Sequence, residues 1–120
     1  MIKLEVEMYV RIKNKAGWCC IGKIYNINDF REPSMKYCID IQGDDFVFVA
    51  EDMIMKASHN IIDLIEVGDY VNGMRVDDID IHSKRLYREM RYDYEIISEK
   101  EIKSIVTKEQ FESMEYRLGE

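Results

Sequence analysis

The sequence is poor in the residue types that most often announce chemistry. Only three cysteines and two histidines occur among 120 residues, with one proline and six glycines. Cys19 and Cys20 are neighbours whose side chains would point to opposite faces of a strand, and Cys38 stands alone. A disulfide framework is therefore not expected, and reduced thiols in a cytoplasmic protein fit this usage. His59 and His82 lie far from each other and from the cysteines, so a zinc site lacks its ligand spacing, and no metal or cofactor is expected. No apolar run is long enough to span a bilayer, and the first ten residues, MIKLEVEMYV, alternate charge with hydrophobicity where a signal peptide would have an apolar core. No membrane association is expected. There is no Gly-rich phosphate loop, His-Glu-x-x-His, nucleophile elbow or Cys-x-x-Cys. Positive charge is also scarce: seventeen basic against twenty-four acidic residues give a net charge of −7, which lacks the electrostatic footprint of a general nucleic-acid binder.

What is present is apolar and charged in the proportions of a folded domain, 47% hydrophobic and 34% charged. A chain of this length buries roughly 65% of its unfolded surface, enough for one core or two small fused ones. The acidity is uneven. Residues 1–60 carry eight basic and nine acidic side chains, whereas 61–120 carry nine and fifteen.

Residues 2–12 alternate with period two: Ile2, Leu4, Val6, Met8, Val10 and Ile12 on one face, Lys3, Glu5, Glu7, Tyr9 and Arg11 on the other. The run is long for a strand, so a bend is expected near Met8. Asn14 to Gly17 supplies a turn, and Trp18 to Ile27 a second strand with a bulge at Gly22. Met35 to Gln42 predicts a third strand and Phe46 to Val49 a fourth, with Ala50 to Lys56 a short helical turn. Ser58 is placed to cap a brief helix over 60–65. Asn72-Gly73, between Tyr70-Val71 and Met74-Arg75, predicts a two-residue hairpin, with Ile79 and Ile81 prolonging the returning strand. Further strands are expected around Tyr92 to Ile96 and Ile102 to Val106. Thr107 with Gln110 predicts a capping box before a helix over 108–113, and Met114, Tyr116 and Leu118 suit its last turn or an edge strand. The fold expected is mainly β, α+β at most: an SH3-like small barrel of about four strands over 1–57, then an acidic β-rich module with short helices over 58–120.

The densest basic run, Lys84, Arg85, Tyr87, Arg88 and Arg91 with Tyr92 and Tyr94 following, carries the candidate binding residues. Arginine and tyrosine suit protein-interface anchors. The same residues could stack on and neutralise single-stranded nucleic acid, or simply pair with Asp77, Asp78, Asp80, Asp93 and Glu95 as a solvated hairpin. The acidic residues of the second half, Asp77, Asp78 and Asp80 with Glu95, Glu99, Glu101, Glu109, Glu112 and Glu115, could instead present a phosphate-like face to a basic groove. A Cys20 or Cys38 nucleophile with His59 or His82 as base has no support in spacing, and no enzyme is expected. Trp18, Phe30, Phe46 and Phe48 flank the first module. Strand aromatics usually fill the interior, so core packing is expected, the alternative being a peptide groove near the loops.

The stretch Ser58 to Gly73, SHNIIDLIEVGDYVNG, with the later Ile102 to Glu112, IKSIVTKEQFE, resembles a group of small proteins carried by phages and prophages of Gram-positive bacteria. The resemblance covers about half the chain and brings no catalytic signature. It implies an accessory role against host defence in the bacterial cytoplasm: an inhibitor of the anti-CRISPR kind that occludes a host protein such as a CRISPR nuclease. Exposed strands at the ends of two small sheets leave both a monomer and an edge-to-edge homodimer open.

Overall fold

The computed structural model describes residues 3–14, 17–29, 31–42 and 45–114, so Phe30, Glu115, Tyr116 and Leu118 lie outside the described residues. The chain packs as two compact units, Met1–Leu64 and Ile65–Glu120. Both are built from short antiparallel strands. No described helix is long and apolar enough to cross a membrane.

The first unit is a five-stranded sheet of β1 (Tyr9–Lys13), β2 (Cys19–Ile27), β3 (Tyr37–Gln42), β4 (Asp45–Val49) and β5 (Ile54–Ser58), in the order β4-β3-β2-β1-β5. A four-strand meander and a 3-10 turn at Glu51–Met53 lead to a last strand that returns beside the first, so the sheet has five strands where about four were expected. The fifth strand replaces the second half of the helical turn expected over Ala50 to Lys56. Its ladder to β1, Tyr9 opposite Ser58 and Val10 opposite Ala57, is a long-range pairing that local pattern does not reveal.

The bend expected near Met8 falls at Glu7, whose positive φ of 78° turns the preceding segment out of the strand. The bulge expected at Gly22 lies instead between Ile24 and Asn26, where Tyr25 is the extra residue. Gly22 has a different purpose. A Cβ there would lie 2.6 Å from Ile39 Cγ2 and 2.8 Å from the Asp40 carbonyl oxygen, so only glycine lets β3 approach.

Period two then sorts the side chains. Met8, Val10, Ile12, Cys20, Ile24, Tyr37, Ile39 and Val49 form the core. Because Val47 and Val49 take the core side of β4, Phe46 and Phe48 must face outward, and each is 43% exposed. Trp18 is also partly exposed. The expectation that these aromatics fill the interior is thereby overturned for all three.

Arg11 departs from its pattern in the opposite direction. Alternation assigns it to the solvent side, yet it is 2% exposed. A 3-10 turn at Ile61–Leu64 packs beside β1 and β5, and Arg11 Nη1 donates to the Leu64 carbonyl oxygen at 3.1 Å. Ser58 holds the start of this turn, accepting from Asn60 N at 3.0 Å and donating from its hydroxyl to Asp63 at 2.6 Å. The brief helix expected over 60–65 is thus one tight turn.

In the second unit β6 (Tyr70–Val71) and β7 (Met74–Arg75) form the Asn72-Gly73 hairpin, with φ of 52° and 80° at the two turn residues. β8 (Asp78–Asp80) does not prolong β7. The chain changes sheets at Val76-Asp77, and β8 joins β9 (Arg85–Glu89) and β10 (Tyr94–Ser98) in a sheet of order β10-β9-β8. β11 (Ile105–Val106) pairs with β6, and α1 (Lys108–Met114) follows. Its capping box is the one expected: Gln110 N donates to Thr107 Oγ1 at 3.1 Å, and Thr107 N donates to Gln110 Oε1 at 3.0 Å.

Two side chains join these pieces. Asp69, fully buried, accepts from Glu66 N at 2.8 Å and from Lys108 N at 2.9 Å, fixing the start of α1 to the turn before β6. Asn72 Oδ1 accepts from Lys103 N and Ser104 N, while its Nδ2 donates to the Glu101 carbonyl at 2.8 Å. Tyr70 and Phe111 stack with ring centroids 4.1 Å apart, closing the helix against the small sheet.

Arg11→Ala should lower unfolding free energy by about 3 kcal/mol, since it opens a cavity and strands a buried carbonyl, whereas Arg11→Met should recover part of the loss through packing. Urea midpoints for the three proteins check this, and equal midpoints would remove Arg11 from the account. Asp69→Ala should cost about 2 kcal/mol and speed hydrogen exchange at the Glu66 and Lys108 amides ahead of other amides.

Candidate functional site

The candidate binding residues meet on the sheet of β8, β9 and β10, where register decides which side chains share a face. Ile79, Leu86 and Ile97 lie directly opposite one another across the three strands. Leu86 and Ile97 are buried, so this is the inward row. The neighbouring positions therefore point the other way: Asp78, Tyr87 and Ile96 form one cross-strand row, Asp80, Arg85 and Ser98 a second, and Glu89 with Tyr94 a third.

The outer face is consequently aromatic and apolar at its centre. Tyr87 and Tyr94 meet edge to face with centroids 6.1 Å apart, and Ile96 stands 49% exposed beside them. The β9-β10 turn extends the surface. Met90 N donates to the Asp93 carbonyl at 2.8 Å, closing a loop whose tip carries Met90, Arg91 and Tyr92. Tyr92 is 88% exposed, with the Arg91 guanidinium 5.3 Å from its ring centroid.

The remaining candidates are distributed differently. Arg88 lies on the face opposite Arg85, with Nη1 3.9 Å from Glu95 Oε2. Lys84, in a left-handed conformation at the entry to β9, has Nζ 3.8 Å from Glu99 Oε1. Asp77 belongs to the scaffold: it accepts from Glu89 N at 2.8 Å and lies 3.8 Å from Arg75 Nε. Asp78 Oδ1 accepts from Ile79 N, and Asp80 Oδ1 closes the β8-β9 loop by accepting from His82 N at 3.0 Å and Ser83 N at 3.2 Å. Glu101 likewise accepts from Ser98 N at 3.1 Å and Ser98 Oγ at 2.8 Å.

This placement bears on the chemistry the sheet can perform. Arg85 is the only cation among the outward strand positions, and Asp78, Asp80 and Glu89 accompany it. A phosphate backbone would meet more negative than positive charge there. The acids of the unit are likewise divided between faces and loops, with Glu95 on the side of Arg88. Glu115 lies outside the described residues. Ile96 and Met90 are exposed apolar residues beyond the candidates the sequence offered, and the period-two spacing of Ile96 from Tyr94 is the signal that points to Ile96.

Burial pushes the Cys20 thiol up to about 12 and also raises that of Cys38. His59 is exposed beside Glu5, at 3.3 Å. Among the described residues, no three His, Cys, Asp or Glu side chains converge as metal ligands would. An open depression of about 620 Å³ is lined by Asn72, Lys100, Glu101, Lys103 and Ser104, but the Asn72 amide is already bonded to backbone there.

Two carboxylates of this unit titrate below their ordinary values. The Ser83 hydroxyl, then its amide, holds Asp80 below 3.8, and the Ser98 amide, then its hydroxyl, holds Glu101 below 4.5. A depressed folded value means that the stabilisation is complete above the unfolded value and is lost as pH falls through the folded one. The Ser83 and Ser98 amide resonances should therefore titrate with midpoints below 3.8 and 4.5 respectively, and midpoints at or above those values would contradict the bonding.

No family model, characterised protein or solved structure matches the chain.

Proposed function

We propose that the protein is a non-enzymatic docking protein that covers a working surface of a host protein, with the outer face of β8, β9 and β10 and the Met90–Tyr92 turn as its contact surface. The observation that carries this is the exposure of Tyr94 and Ile96 beside the half-buried Tyr87 on one sheet face, with the exposed Tyr92 in the adjoining turn. Rigid aromatic rings held by a sheet lose little conformational freedom on binding, and tyrosine and arginine are enriched among residues that dominate interfaces. Arg85, Asp78 and Asp80 at the margin supply charge for register and orientation.

The class of partner rests on the resemblance of residues 58–73 and 102–112 to phage and prophage accessory proteins: a host defence factor, a CRISPR nuclease among them. The mechanism is occlusion, in which bound protein blocks the partner's own access to nucleic acid.

Tagged protein should capture one dominant partner from lysate of a Gram-positive host with an active CRISPR system, and its co-expression should restore transformation by a targeted plasmid. Tyr92→Ala and Tyr94→Ala, both at exposed positions, should each weaken binding to the purified partner about tenfold. Full interference in the presence of soluble protein would refute the inhibitory role. Unchanged binding by the two variants would refute the surface. Salt-sensitive affinity for short single strands would instead make the sheet a nucleic-acid module.

A further inference from the structure

β4 is an outermost strand of the first unit's sheet: β3 pairs with one side of it, and among the described residues no strand pairs with the other. Asp45 to Val49 likewise make no described backbone bond outside the β3 ladder. The 3-10 turn at Pro33–Met35 approaches the strand, and Arg31 lies 4.7 Å from the Phe48 ring centroid, but neither bonds to its backbone. The donors and acceptors along such an edge are completed by another extended chain, and natural sheets block that pairing with charge, proline, bulges or a cover.

The other described edges carry those devices. β5 has Lys56 at its centre and the 3-10 turn at Ile61–Leu64 packed beside it. β8 begins with Asp78 and ends with Asp80, β10 carries Glu95, and β7 and β11 have only two residues each. β4 has no charge or proline from Phe46 to Val49, and its one charged residue, Asp45, stands at the start. Aromatic and β-branched residues of this kind pair readily in sheets.

Register and charge together indicate the occupant. A twofold axis through Val47 sets Phe46 opposite Phe48 of a second copy and Asp45 opposite Val49, so rings meet on the outer face and no charge meets its like. Phe46 and Phe48 are each 43% exposed, and this pairing takes apolar surface of both from water. The contact also lies in the half of the chain that permits it. Residues 1–60 carry eight basic and nine acidic side chains against nine and fifteen in 61–120, so two copies meet at β4 without the repulsion of the acidic half.

We propose that β4 is a homodimerisation edge, at which two copies pair antiparallel about Val47 and join their sheets into one. The dimer is isologous and closed, and it does not depend on the role of the tyrosine face of the second unit. A contact built on one five-residue strand is smaller than a standard interface, so its dissociation constant should be about 10 to 100 μM.

Sedimentation equilibrium of the full chain from about 1 μM to about 1 mM tests this, together with amide hydrogen exchange at both ends of that range. Wild-type protein should pass from monomer to dimer, and β4 amides should exchange more slowly in the concentrated sample. Two double variants separate this register from general stickiness, because each removes both rings. Phe46→Lys/Phe48→Lys sets like charges opposite each other across the axis, whereas Phe46→Lys/Phe48→Glu sets opposite ones. The first should dimerise about tenfold more weakly than the second, although its smaller net negative charge by itself favours association. Equal thermal midpoints would show that both fold alike, and the wild-type exchange pattern decides the matter alone if either does not. A chain still monomeric at the highest concentration would overturn the proposal. So would equal dissociation constants for the two folded variants, or a wild-type dimer whose β4 amides exchange as fast as in the monomer.

Discussion

A buried charge must find its hydrogen bonds inside the protein, and both units are arranged around that constraint. Arg11 in the first and Asp69 in the second are almost wholly removed from water. Each reaches across to backbone groups of a neighbouring turn, Arg11 to the Leu64 carbonyl and Asp69 to the amides of Glu66 and Lys108. The strands of the second unit are two to five residues long, too short to hold loops by ladder bonds alone. Specific polar bonds supply what the sheets do not, and the price is that losing one partner leaves the other exposed to the full cost of desolvation.

Local chemistry was legible where the determining partners lie within a few residues. Asn72-Gly73 needed only its two positive φ angles, and Thr107 with Gln110 needed only three residues of spacing. The meander of the first four strands followed from alternation. Features set by distant partners were not legible. β5 exists because β1 offers it an open edge, and the acidic residues Glu51 and Asp52 just before it favour a helical reading locally. Arg11 reads as surface because period two cannot anticipate a turn fifty-three residues later that covers the second face. Gly22 announced a special backbone position correctly, but its cause is the approach of Ile39 and Asp40 from β3, not a bulge.

The candidate surface shows the same division. The basic run falls on the sheet of β8, β9 and β10 and its turn, but its residues serve different ends. Arg85 and Tyr87 share the outer face, Arg88 the other, and Asp77 and Asp80 hold loops in place. Charge counted along a strand treats neighbours as companions, whereas the pleat sends them to opposite sides. The aromatic residues of β4 illustrate the converse. An edge strand of a single-core sheet has an outer side, and Phe46 and Phe48 occupy it because Val47 and Val49 have already taken the inner one.

The bonding of Asn72 has a consequence for the chemical durability of the molecule. An asparagine followed by glycine is prone to spontaneous deamidation in a flexible chain, because the glycine amide nitrogen can attack the side-chain carboxamide carbon and close a succinimide ring. In the folded hairpin that carboxamide is held by the backbone of Glu101, Lys103 and Ser104 through both its oxygen and its nitrogen. Ring closure must first break those bonds, so the ageing of this one peptide link is governed by how often the β6-β7 hairpin opens.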